Sequence, residues 1–123
     1  GLWLGRRHYQ AGFHQTSTAG AFGATVAAGR LMRLPEESLV CALGIAATRA
    51  SGLKVQFGTM GKPLNAGFAA AAGVESALLS ASGLVSRPDA LEAEGGFGAT
   101  HAGEANLDAA LRDLGKVWLF EGA

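Results

Sequence analysis

Phe57-Gly-Thr-Met-Gly-Lys-Pro-Leu-Asn-Ala-Gly67 runs directly into Phe68-Ala-Ala-Ala-Ala-Gly-Val-Glu-Ser-Ala-Leu-Leu79. The second stretch has a helix former at most positions and no proline, and it predicts a long helix of small residues. Pro63 suits its first position, where a fixed φ helps and a missing N–H costs nothing. Lys62 then falls at or beside the N-cap, and the helix extends to about Ser82, stopped by Gly83. Gly58 and Gly61 give the preceding loop backbone freedom. Free N–H groups and the positive end of the helix dipole meet at such an end. A cation there opposes the dipole unless an anion lies between them, so the loop reads as a carboxylate or phosphate site. The Lys-Ser/Thr pair of a nucleotide P-loop is absent.

Working outward, the same composition governs the rest. The chain has 123 residues, enough for one domain, and its 49% hydrophobic content includes only 7% aromatic residues beside 19 glycines. The apolar mass is therefore short side chains, which let helix backbones approach closely. Ten basic and ten acidic residues balance, and no basic stripe speaks for nucleic acid. Cys41 is the one cysteine. It excludes an internal disulfide framework and fits a reducing, cytoplasmic setting. The longest apolar run, Ala66 to Val85, is interrupted by Glu75, serines and glycines and reads as too polar for a membrane span. No signal-peptide pattern opens the chain. A start at Gly1, inside what reads as an element, suggests a piece of a longer protein.

Residues 1–13 read as the end of a helix turning at Gly12. Thr16, Ser17 or Thr18 can cap a helix from Ala19 to about Leu34. Its Gly20, Ala24, Ala28 and Gly23, Ala27 rows predict close contact with another element. Pro35 opens a third helix, with Glu36 and Glu37 favoured by the dipole in its first turn, running to about Arg49. Pro88-Asp-Ala-Leu-Glu92 reads as a short helical start broken by Gly95-Gly96. Glu104 to Leu114 reads as a helix with Leu107, Ala110, Leu111 and Leu114 on one face. The tail from Lys116 to Gly122 favours a strand. No run keeps period-two alternation, so the fold class is all-α, a helical bundle with one possible terminal strand.

Five segments now stand in order: Gly12-Phe-His-Gln-Thr-Ser-Thr-Ala-Gly-Ala-Phe-Gly-Ala24, Ala42-Leu-Gly-Ile-Ala-Ala-Thr-Arg-Ala-Ser-Gly-Leu53, Gly58-Thr-Met-Gly-Lys-Pro-Leu-Asn-Ala-Gly67, Gly73-Val-Glu-Ser-Ala-Leu-Leu79 and Leu91-Glu-Ala-Glu-Gly-Gly-Phe97. Together they resemble the MmgE/PrpD family, which includes 2-methylcitrate dehydratase and cis-aconitate decarboxylase. The resemblance runs from about His8 to Trp118. It implies that residues 1–123 are the later part of a large helical domain, with a second α/β domain and an earlier helical segment outside them. It also implies a metal-free, cofactor-free lyase, of dehydratase or decarboxylase type, acting on a small di- or tricarboxylate such as 2-methylcitrate. An epimerase or isomerase using the same proton chemistry, and a non-catalytic dimerisation module, are the alternatives.

His14 falls on the family's Phe-His motif and Lys62 on its Lys-Pro-Leu motif, which makes them the candidate catalytic pair. Thr59, Met60, Gly61 and Asn65 are the candidate substrate-binding residues, and no residue is a candidate metal ligand. Lys62 can offset carboxylate and carbanion charge, and His14 can serve as acid or base near neutral pH. Asn65 stands where the family often has histidine; it can hydrogen-bond but not titrate, which bears on the choice of substrate. His8 and His101 read as surface or satisfied residues, and Cys41 as core. Trp3, Trp118 and Phe120 read as packing anchors. Helices this rich in glycine and alanine bury little area each, and the expected partner for their open faces is a second copy in a homodimer.

Overall fold

Two long helices carry the fold, both built from alanine, glycine and short hydroxyl residues. The computed structural model describes residues 1–101 and 107–122. In order come α1 (Gly5–Gln10), α2 (Gln15–Leu31), α3 (Glu36–Ala47), α4 (Gly61–Ala81), α5 (Phe97–His101) and α6 (Leu107–Leu111), with 3-10 turns at Lys54–Gln56 and Leu119–Gly122. The all-α class holds. Among the described residues no strand forms, and one isolated antiparallel bridge joins Phe13 to Leu53. The expected terminal strand is instead the 3-10 turn, with Trp118 and Phe120 exposed rather than packed.

α2 lies against α4, and α3 packs on both. The buried stripe of α2 is Ser17, Thr18, Ala21, Thr25 and Gly29, and that of α4 is Asn65, Ala69, Ala72, Gly73, Ser76, Ala77 and Ser80. These positions recur every three or four residues, as one helix face requires. The side chains are too short to hold the helices apart. A Cβ on Gly73 would overlap the Ala24 side chain and lie 2.6 Å from the Ala24 carbonyl carbon and the Thr25 nitrogen. The Gly20 and Ala24 part of the expected row is therefore an interface, whereas Gly23 and Ala27 face outward.

Hydroxyls so buried must find acceptors. Thr25 and Ser76 donate to carbonyls one turn back, Ala21 and Ala72, each at 2.7 Å. Two others cross between helices: Ser17 donates to the Asn65 carbonyl at 2.9 Å, and Ser80 to the Ser38 carbonyl at 2.7 Å. α4 is thereby pinned near its start to α2 and near its end to α3. On length and composition α4 could cross a membrane; in this fold its Asn65, Ser76 and Ser80 lie buried against neighbouring helices.

Several boundaries differ from expectation. α2 begins at Gln15 with His14 as N-cap, and neither Thr16, Ser17 nor Thr18 caps it. Ser17 and Thr18 are drawn into tertiary hydrogen bonds instead. The helix also stops at Leu31. Arg33 takes a left-handed φ of 57°, and the Arg33 and Leu34 N–H groups bond back to Arg30 and Gly29 at 3.0 and 2.9 Å. That is the Schellman closure usually made by glycine. α4 ends by the same closure, with Gly83 in the glycine place. It starts two residues before Pro63, so Lys62 lies inside the first turn.

Further along, Pro88–Glu92 forms turns rather than a helix, and α5 follows Gly95-Gly96 unforeseen. Of the expected 104–114 helix, Leu107–Leu111 is helical, and Glu104 lies outside the described residues. Leu107, Leu111 and Leu114 are exposed. Trp3 does pack, against Gly98. Cys41 is half-buried, donating to the Leu84 carbonyl at 2.9 Å and accepting the Ser86 N–H at 3.2 Å.

The backbone approach at Gly73 sets up a paired test on one helix. Gly73→Ala gains about 1 kcal/mol of helix propensity but forces backbone apart, and overpacking costs about 1–3 kcal/mol; net destabilisation is expected. Gly67, with nothing within 4 Å of its Cβ position, should gain up to about 1 kcal/mol as alanine. Urea unfolding of both variants beside the unmodified chain checks the opposite signs.

Candidate active site

The site begins with two backbone hydrogen bonds. The His14 N–H donates to the Gly52 carbonyl at 3.0 Å, and the Lys54 N–H to the Gly12 carbonyl at 2.8 Å. This short antiparallel pairing fixes the residue that opens α2. Gly52 makes it possible: its φ is 145°, and an added Cβ would overlap the Ser17 side chain, 2.6 Å from its Oγ. A residue with a Cβ would push apart the strands of chain that position His14. Ser17 Oγ lies between the Ser51 and Asn65 carbonyls, tying α2, this segment and α4 together at one point.

Onto this junction the fold brings three of the expected site residues. His14 is buried, and its Nδ1 accepts a hydrogen bond from Asn65 Nδ2 at 3.0 Å. Phe57 meets the His14 ring edge-on, centroids 5.0 Å apart, and Lys62 Nζ lies 5.2 Å from the centre of the same phenyl ring. Phe57 thus bridges the buried imidazole and an exposed ammonium. A cation over an aromatic face is attracted by about 0.5–1 kcal/mol when exposed, enough to bias where Lys62 rests but not to immobilise it. Among the described residues Lys62 has no carboxylate partner. Nearby Lys54 is engaged: its Nζ donates to the Tyr9 carbonyl at 2.7 Å and sits 4.0 Å from the Tyr9 ring centre.

The loop residues are placed differently from the anion site expected at a helix start. The Thr59 hydroxyl donates to the Gln56 carbonyl at 2.8 Å and accepts the Gly61 N–H at 3.1 Å. The Lys62 N–H donates to the Thr59 carbonyl at 3.3 Å, and Pro63 has no N–H. The first three helical residues therefore offer no free N–H to an anion. The loop's pull on negative charge rests on the Lys62 ammonium and the dipole. Met60 is exposed, and Gly61 lies against the Gln56 side chain. Sequence reasoning missed Phe57 and Gly52 as site residues, although Phe57 opens the loop stretch and Gly52 lies within the Ala42–Leu53 segment. A phenyl spacer and a glycine forced by a neighbour's side chain have no one-dimensional signature.

Behind His14 lies a second imidazole. His8 is fully buried, stacked on Phe13 with centroids 4.5 Å apart. Its Nδ1–H donates to the His101 carbonyl at 2.6 Å, and its Nε2 accepts the Thr18 hydroxyl at 2.7 Å. His8 is the satisfied residue that was expected. Burial holds its pKa below the ordinary histidine range, against a smaller opposing effect of the His101 carbonyl. Elsewhere, a cavity of about 280 Å³ lined by Thr48, Arg87, Glu94, Phe97, Thr100 and His101 lies apart from Lys62 and Asn65. No three His, Cys, Asp or Glu side chains among the described residues gather as a metal site.

Comparison with known proteins bears on the same segments. Residues 1–110 match the family model of the MmgE/PrpD N-terminal domain. The chain is 37% identical over 90 residues to a Homo sapiens cis-aconitate decarboxylase, covering 73% of this chain and 19% of that protein. A Mus musculus cis-aconitate decarboxylase is 32% identical over 109 residues, 89% of this chain and 22% of the relative. One from Aspergillus terreus is 40% identical over 88 residues, 70% of this chain and 18% of the relative. The chain spans about a fifth of the length of these relatives.

The depressed His8 pKa carries a pH dependence of stability. The unfolded chain takes up a proton near the ordinary histidine pKa of about 6.5, and the folded chain resists it. Stability is therefore full above that value and falls as pH drops through it toward the lower folded pKa. Thermal melts from pH 8 to pH 5 should show Tm declining on the acid side. His8→Gln should start from a lower Tm and show a shallower decline. An unchanged slope in His8→Gln would assign the acid sensitivity to another group.

Proposed function

The chain belongs to the MmgE/PrpD family, and on that premise we propose that it is part of a lyase acting on a small di- or tricarboxylate. The observation that supports this reading is the junction where Phe57 joins a buried imidazole, His14, to a carboxylate-free ammonium, Lys62. Losing CO₂ or a proton beside a carboxylate leaves the electron pair of the broken bond on carbon. That pair spreads onto the neighbouring oxygens. A positive charge close to those oxygens lowers the barrier, because it acts where charge grows. Lys62 supplies that charge, and His14 meets the same phenyl ring, Phe57.

Within this class the substrate is a tricarboxylate of the 2-methylcitrate or cis-aconitate kind. The relatives' name, cis-aconitate decarboxylase, favours loss of CO₂ over loss of water. The remaining site groups belong to other parts of the protein, as the share of the relatives covered by this chain suggests. A second copy of the chain is the proposed partner for the exposed apolar row Leu64, Phe68 and Leu78 on α4.

Two outcomes are expected. Lys62→Ala in the full-length protein should lower kcat/KM toward the polycarboxylate by roughly 10²–10³ while leaving the melting temperature nearly unchanged, since the side chain is exposed. Near-full activity would remove Lys62 from the site. Sedimentation equilibrium at several concentrations should give a dimer whose dissociation is promoted by Phe68→Glu. A stable monomer at micromolar concentration would refute the pairing.

A further inference from the structure

Which proton does His14 hold, and on which nitrogen? The answer lies in Asn65. Its amide nitrogen is 3.0 Å from His14 Nδ1 and 3.4 Å from the Leu53 carbonyl oxygen. Turned over, the amide would set Oδ1 against that carbonyl, lone pair against lone pair, so the NH₂ end faces Leu53 and His14 alike. An NH₂ group can only donate. Nδ1 of His14 must therefore accept, and a neutral imidazole that accepts at one nitrogen carries its proton on the other. Among the described residues Nε2 has no hydrogen-bond partner, and no buried side-chain nitrogen is left unsatisfied. Nε2–H is the end left for a ligand.

We propose that Asn65 is a positioning residue that holds His14 in the Nε2–H form, so that His14 meets the substrate as a neutral hydrogen-bond donor rather than as the base that removes a proton. This rests on the proposed polycarboxylate reading and sharpens it. His14 Nε2–H binds a carboxylate oxygen, and that bond strengthens as negative charge grows on the oxygen. No proton leaves Nε2 in this role, and a neutral imidazole used in this way is an established electrophilic device. The proton chemistry then belongs to another group. It also gives the asparagine at this position a physical task. A carboxylate there would accept where Asn65 donates, and would draw the proton to Nδ1.

The test reads the tautomer directly. Full-length protein is labelled with ¹⁵N at histidine, and the His14 signals are assigned by their loss in His14→Gln. Above the ordinary histidine range, long-range ¹H–¹⁵N spectra should show a proton-bearing Nε2 and a bare Nδ1. In Asn65→Asp the proton should appear on Nδ1. Asn65→Leu, similar in size but without the amide, should lower kcat/KM by roughly 10- to 100-fold, the range of a hydrogen bond to a charged group, with a melt showing the fold retained. A wild-type Nδ1–H signal, an unchanged pattern in Asn65→Asp, or full turnover by folded Asn65→Leu would each overturn the proposal. The Nε2–H pattern without polycarboxylate turnover would count against the lyase reading and leave the tautomer assignment standing.

Discussion

The close approach of α2 and α4 is the constraint on which the rest depends. With glycine, alanine and serine between them, the two backbones come near enough for a side-chain hydroxyl on one to reach a main-chain carbonyl on the other. That distance is also what lets Asn65, from α4, reach a histidine at the start of α2. Larger side chains at this face would bury more area, and area stabilises at about 25 cal/mol per Å². They would also separate His14 from Asn65. The interface trades burial for proximity, and the site uses the proximity.

A second consequence concerns order in the core. The buried cluster holds Leu4, Ala21, Ala50, Ala69 and Phe97, and the largest fully buried side chains elsewhere are polar: His8, Thr18, Thr25 and Ser76. Such a core holds few large apolar side chains and relies on fitted contacts and satisfied hydrogen bonds beside them. Every buried side-chain nitrogen and oxygen among the described residues has a partner. Hydrogen bonds of this kind are directional. They fix helix register in a way that smooth apolar faces would not, and register decides which residue faces His14.

The site combines two kinds of support. His14 is buried, capped into a backbone pairing and hydrogen-bonded, so its orientation is set before any ligand arrives. Lys62 is exposed, and among the described residues its ammonium meets the face of Phe57, so it stays free to move. One residue is therefore held rigidly by the fold and the other is left free to move at the surface. Thr59 belongs to neither group. Its hydroxyl accepts the Gly61 N–H and its carbonyl the Lys62 N–H, so the turn before α4 uses the N–H groups that the loop's composition offered.

How much of this was legible in one dimension follows from how far each interaction reaches along the chain. The all-α class, the helix opened by Pro35 and the long small-residue helix after Lys62 could be read directly, because they rest on neighbours within a turn or two. The candidate pair His14 and Lys62 came from motifs that resemble a family, and the fold sets both against Phe57. The helix ends could not be read directly: Arg33 took a left-handed turn that glycine usually takes, and Ser17 and Thr18 left their capping role for partners tens of residues or a layer away. The strand expected at the tail was a propensity with no neighbouring strand to pair with. Above all, the sequence by itself placed Asn65 after Lys62-Pro-Leu64, where the family often has histidine. Only the tertiary structure decided that it points its donor at Nδ1, because that outcome depends on a Leu53 carbonyl twelve residues away and on a helix contact that no local pattern encodes.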